Sequence, residues 1–138
     1  MSFIKQEGPY RESRWGLANK EKLSKIYILR QGKEILYVGI TKTPLSNRIG
    51  SGLKATGKKG YHDYKWKVLA KKHQSEVIDL FVYLFRDEEK TEAIEAEVVY
   101  LIRNKTGKWP KYQTEIHFHY NASIEEKRLA QRIYNQIS

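Results

Sequence analysis

Two tyrosines ten positions apart, Tyr27 and Tyr37, each sit in a short apolar run, and Arg48 follows behind a Thr-Pro pair in "SKIYILRQGKEILYVGITKTPLSNRIG". Further on, "TEAIEAEVVYLI" carries two carboxylates, Glu95 and Glu97, among apolar residues. Phenols, a guanidinium and a carboxylate are the groups of proton transfer, anion binding and hard-cation binding. Between them lies "TGKKGYHDYKWKVLAKKH", where lysines alternate with aromatics. That interleaving, in place of one long amphipathic helix with a greasy face, favours nucleic acid over a membrane surface as the partner. The overall balance agrees: 26 Lys and Arg against 16 Asp and Glu give +10, with a sequence pI near 9.7.

These groups need a scaffold, and 138 residues suffice for one domain with a real core. No repeat, low-complexity tract or linker interrupts the chain. It divides into an N-terminal arm (1–22), a core (24–113) and a C-terminal extension (114–138). The absence of cysteine excludes disulfides and thiolate metal sites. No stretch approaches a membrane span, and the first residues do not fit a secretory signal, so a cytoplasmic protein is expected.

Residues 25–29 and 35–39 are apolar runs around "RQGKE" and predict a β-hairpin. A loop with an odd number of residues centred on Gly32 would set Tyr27 opposite Tyr37, on one sheet face; a two-residue turn would shift that register. Thr43 and Pro44 have the form of an N-cap and first helical residue, ahead of a short helix with Leu45, Ile49 and Leu53 inward and Arg48 beside that stripe. Residues 61–73 predict a lysine-rich helix with Tyr61, Val68 and Leu69 inward. "EVIDLFVYLF" is too continuously apolar for an exposed edge and predicts a central strand.

A helix over 91–104 follows, with Ile94, Val98, Leu101 and Ile102 inward and Gly107 past its end. Glu95 and Glu97 flank that stripe on opposite sides, and periodicity does not choose between them. "QTEIHFHYN" alternates as a half-buried strand, and Ser123 with Glu126 has capping-box spacing before a last helix. The expected class is α+β: a small antiparallel sheet of about three strands flanked by helices, with an extra C-terminal strand and helix.

This order of elements and residues resembles the GIY-YIG nuclease family. Its first signature stands here as Lys25-Ile26-Tyr27, without the glycine, and its second as Tyr37-Val38-Gly39. Lys42 and Arg48 match the family's basic positions. "TEAIEAEVVYLI" matches its acidic helix, in which the pattern selects Glu97 over Glu95, and Pro110-Lys111-Tyr112-Gln113 stands where the family often ends its core, with Gln113 in place of an asparagine. The likeness runs from about Ser24 to Gln113.

The resemblance implies a metal-dependent DNA endonuclease that hydrolyses phosphodiester bonds, of a restriction or phage type. Catalytic residues would be Tyr27, Tyr37, Lys42, Arg48 and Glu97. Glu97 would hold one Mg²⁺ or Mn²⁺, and Tyr27, helped by Tyr37 and Lys42, would orient or deprotonate the water. Arg48 would bind the scissile phosphate with its fixed fork of donors. Double-stranded DNA would be gripped by Lys54, Lys58, Lys59, Lys65, Lys67, Lys71 and Lys72, with His62 and Gln113 as further contacts and Tyr64 and Trp66 available for stacking or packing. His117 and His119 share one strand face without a third ligand in register. A homodimer would match a two-strand cut. The rival functions are a non-catalytic nucleic-acid-binding module and a structure-specific repair nuclease.

Overall fold

The computed structural model describes residues 2–7, 23–114, 116 and 122–138. Strands β1 (Ser2–Glu7), β2 (Ser24–Gln31), β3 (Glu34–Thr41) and β4 (Val77–Phe85) form one sheet in the order β1-β4-β2-β3. The three strands β4, β2 and β3 are antiparallel, as the hairpin and the apolar central run predict, and β1 adds to β4 in parallel. Part of the N-terminal arm is thus an edge strand, which its sequence does not announce. Helices α1 (Leu45–Leu53) and α2 (Tyr61–Lys72) cover one sheet face; α3 (Glu88–Thr106) and α4 (Ile124–Ile137) cover the other.

Both faces of β2 are therefore buried, which is why it reads as a continuous apolar run. Tyr27 and Leu29 point toward α1 and α2, whereas Ile26 and Ile28 point toward α3 and α4. Arg30 fastens β2 to its surroundings: its guanidinium donates to Asp79 on β4 at 2.8 Å and to the Ile137 carbonyl at the end of α4 at 2.9 Å. On the same layer, Ser123 and Glu126 form the expected capping box at the start of α4.

The hairpin differs from its expected form in a way that matters. Gln31 pairs with Glu34, so the turn has two residues, with Gly32 at φ +58° supplying the positive φ such turns require. Continued along the strand, that register would send Tyr27 and Tyr37 to opposite faces. A bulge prevents this: Arg30 pairs with Ile35 but Leu29 with Tyr37, leaving Leu36 as the extra residue. Beyond the bulge Tyr27 stands opposite Gly39, and Tyr37 is its diagonal neighbour on the same face.

Other expectations are corrected in detail. Pro44, not Thr43, caps α1; its carbonyl accepts from the N–H groups of Asn47 and Arg48, while the Thr43 hydroxyl pairs with Thr41 Oγ1 at 2.8 Å. In α2 the buried residues are Trp66 and Leu69, and Tyr61 faces solvent at 61 % exposure. The reason is packing: Trp66 lies flat on Gly52 of α1, where a Cβ would come within 2.5 Å of the indole ring. Helix α2 therefore turns Tyr61 outward. Most of the strand expected over 113–121, with His117 and His119, lies outside the described residues.

The outer edge of β3 is covered by the chain after α3. Lys111 and Tyr112 donate from their backbone N–H groups to the carbonyls of Ile35 and Leu36 at 3.1 and 2.8 Å. Gln113 continues this with its side chain, accepting from Val38 N–H at 3.1 Å and donating to Val38 C=O at 2.9 Å. A primary amide thus stands in for the next strand residue at an edge that would otherwise be open.

Candidate active site

Tyr27 and Tyr37 have ring centroids 5.8 Å apart. Their contact depends on Gly39, because a Cβ there would stand 2.6 Å from Cζ and Oη of Tyr27 and 2.7 Å from Cε1 of Tyr37. Tyr27 lies beneath Gly39 with no exposed surface, its hydroxyl under the influence of Arg48 and Tyr37, whereas Tyr37 reaches the wall of a cleft. Burial raises the pKa of both phenols, most strongly that of Tyr27, where the neighbouring Tyr37 adds to the effect and the Arg48 charge opposes it. Both are neutral at neutral pH. Among the described residues the phenol at the cleft is Tyr37, because the pleat and Gly39 place Tyr27, expected to orient a water, one layer below.

The cleft measures about 190 Å³ and is lined by the β3 run Tyr37 to Ile40 together with Arg48, His62, Glu95 and Gln113. It is smaller than the roughly 300–1,000 Å³ of pockets that enclose small molecules, so it suits one group of a larger ligand. Its walls come from α1, α2, α3 and the segment after α3, meeting at the edge of β3. Arg48 Nη2 lies 2.7 Å from His62 Nε2, and His62 Nδ1 lies 3.0 Å from Thr114 Oγ1. A guanidinium has only donors, so Nε2 must accept and the imidazole carries its proton on Nδ1, donating to Thr114. His62 is therefore a neutral brace for Arg48.

Among the described residues the carboxylate in this cleft is Glu95, at 3 % exposure. Its charge acts on Tyr37, whose pKa it raises. Glu97, favoured by the acidic-helix pattern, is half-buried and does not line the cleft. The placement has a geometric cause: α3 packs on the sheet and on α4, burying Thr91, Ile94, Val98 and Ile102, and the flank carrying Glu95 then faces the edge of β3. A lone carboxylate among water and phosphate oxygens is an ordinary Mg²⁺ arrangement, so Glu95 fits that cation. Among the described residues no group of three His, Cys, Asp or Glu is placed to hold a metal.

Lys42 stands away from the cleft, exposed, with its Nζ 2.5 Å from Glu88 Oε2. Gln113 is at the cleft, but its amide is engaged by Val38. Lys54, Lys58, Lys59, Lys67, Lys71 and Lys72 are exposed and Lys65 half-buried. Trp66 is interior, packed 5.2 Å from the Tyr37 ring centroid, and is not available for stacking.

Two residues here carry no signal in the sequence motifs. Thr114 is a partner of His62 on the side away from Arg48. Lys25, where the family signature has glycine, is fully buried, and its ammonium donates to the carbonyls of Leu23, Lys42 and Thr43. It ties the start of β2 to the turn leading into α1, and so to Arg48.

No family model matches the chain, and neither a curated protein nor a solved structure is significantly similar to it. Among the described residues no helix is long and apolar enough to cross a membrane.

Proposed function

We propose that this protein is a metal-dependent DNA endonuclease of GIY-YIG type. The observation that carries the reading is the convergence of Tyr37, Arg48, His62 and Glu95, from four separate elements, on one small cleft in a strongly basic molecule. Phosphodiester hydrolysis needs positive charge aimed at the non-bridging oxygens, an oriented water and an anchor for a hard cation. Arg48 answers the first need, and His62 and Thr114 hold it in place before substrate arrives. Tyr37, neutral and at the cleft wall, orients the water through its hydroxyl; Tyr27 packs beneath and fixes the Tyr37 ring. Glu95 would hold Mg²⁺ or Mn²⁺, which when bound supplies Lewis-acid charge to the phosphate and eases loss of a proton from water. The exposed lysines of α2 and the loop before it grip the DNA backbone without reading sequence.

The test is incubation of supercoiled plasmid with the protein. Cleavage in Mg²⁺ or Mn²⁺, absent in EDTA and lost in Arg48→Ala while DNA binding persists, is the expected result. Plasmid that stays intact with either cation overturns the reading and leaves a nucleic-acid-binding module.

A further inference from the structure

Helix α2 has a second face that the cleft does not use. His62, Trp66, Leu69 and His73 point inward; Tyr61 and Tyr64, one turn apart, point outward at 61 % and 52 % exposure. Lys65 Nζ lies 5.4 Å from the Tyr61 ring centroid. The loop before the helix is held in a defined shape by Asp63, whose carboxylate accepts from Gly57 N–H at 2.7 Å and Lys59 N–H at 3.3 Å. That bonding occupies the single acidic side chain between residues 54 and 72, a stretch with seven lysines. The outer surface of α2 thus carries two exposed phenol rings, that of Tyr61 with the Lys65 ammonium over it, among lysines, and Tyr61 is the chain neighbour of His62 at the cleft.

Lysines alone would serve a DNA duplex, whose phosphates are exposed and whose base faces are hidden in the stack. Exposed rings gain nothing from such a ligand. They gain from unpaired nucleotides, whose bases offer free faces for stacking while the phosphates meet the ammonium groups. We propose that Tyr61 and Tyr64 form a stacking platform for an unpaired DNA strand at the rim of the cleft, so that the preferred substrate is a junction between duplex and single strand. The proposal rests on the nuclease reading for its cleavage consequence, but its binding consequence stands apart.

Binding is measured in a Glu95→Gln background, with a single-stranded oligonucleotide carrying 2-aminopurine and with a continuous duplex of equal length. Adding Tyr61→Ala and Tyr64→Ala weakens single-strand binding by about tenfold or more, the scale of lost base–aromatic stacking, and leaves duplex binding within about twofold. Tyr61→Phe with Tyr64→Phe keeps single-strand binding, because stacking needs the ring and not the hydroxyl. Tyr100→Ala, removing an exposed tyrosine on α3, changes neither. Equal loss on both ligands, or no loss on either, overturns the platform. In the active protein, a flapped duplex is cut faster than a continuous one, and the double alanine variant cuts both alike. Absence of all cleavage with the stacking preference intact would sink the nuclease reading and uphold the platform.

Discussion

Arg48 donates to His62 Nε2 at 2.7 Å, and this contact fixes the histidine as the tautomer protonated on Nδ1. In ¹⁵N spectra at neutral pH, His62 should show a protonated Nδ1 and a bare Nε2. A proton on Nε2 would turn that acceptor into a donor facing the guanidinium and so break the contact. His62→Gln, which can offer an amide oxygen to Arg48, should retain far more activity than His62→Ala, for which a loss of about tenfold is expected, the low end for positioning effects. Equal activity of the two variants would remove the brace from the account.

Gly39→Ala should destabilise the fold by roughly 1–3 kcal/mol, the usual cost of forcing a methyl into a packed core. The methyl has no room between the Tyr27 and Tyr37 rings. Urea unfolding measures the loss, and near-ultraviolet circular dichroism should report the displaced tyrosines.

The buried phenols predict an alkaline weakness. Their pKa values in the folded state lie above that of an exposed tyrosine, near 10. Below that pH the phenols are protonated in both states and the stability is intact. As pH rises past it, the unfolded chain releases protons that the folded chain keeps, so stability falls. Tyr27→Phe removes the largest part of this slope. Urea midpoints of the two proteins should keep a constant offset near pH 8, and toward pH 11 the parent should fall further than Tyr27→Phe; parallel curves up to pH 11 would contradict the burial of Tyr27.

Lys25→Met should cost roughly 1–3 kcal/mol, the scale for removing the donor from buried carbonyls. Three carbonyls lose their shared ammonium: those of Leu23, Lys42 and Thr43. Because the last two lead into α1, activity should fall further than stability alone explains, read as a lower kcat in conditions where the variant is fully folded.

What the sequence made legible follows from strong local signals. Continuous apolar runs marked β2, β3 and β4, and the spacing of Ser123 and Glu126 marked the cap of α4. Local signals failed where a distant contact decides. The bulge at Leu36 depends on how β2 and β3 twist together, so the pairing of Tyr27 with Gly39 was not readable from a turn motif. Tyr61 was expected inward as an aromatic, yet Trp66 fills that place because Gly52 on another helix leaves room for an indole. Glu95 and Glu97 are equivalent by periodicity. Only the docking of α3 against β3 and α4 separates them, which is why a family pattern favoured the residue that does not face the cleft.

Comparing Glu95→Gln with Glu97→Gln in plasmid cleavage with Mg²⁺ tests the central claim most directly. Glu95→Gln should bind DNA as the parent does but lose cleavage by at least about a hundredfold, the scale for removing a charge-stabilising group, while Glu97→Gln cuts at close to the parent rate. Loss in Glu97→Gln with cleavage retained in Glu95→Gln would contradict the cleft as the place where the phosphodiester is broken.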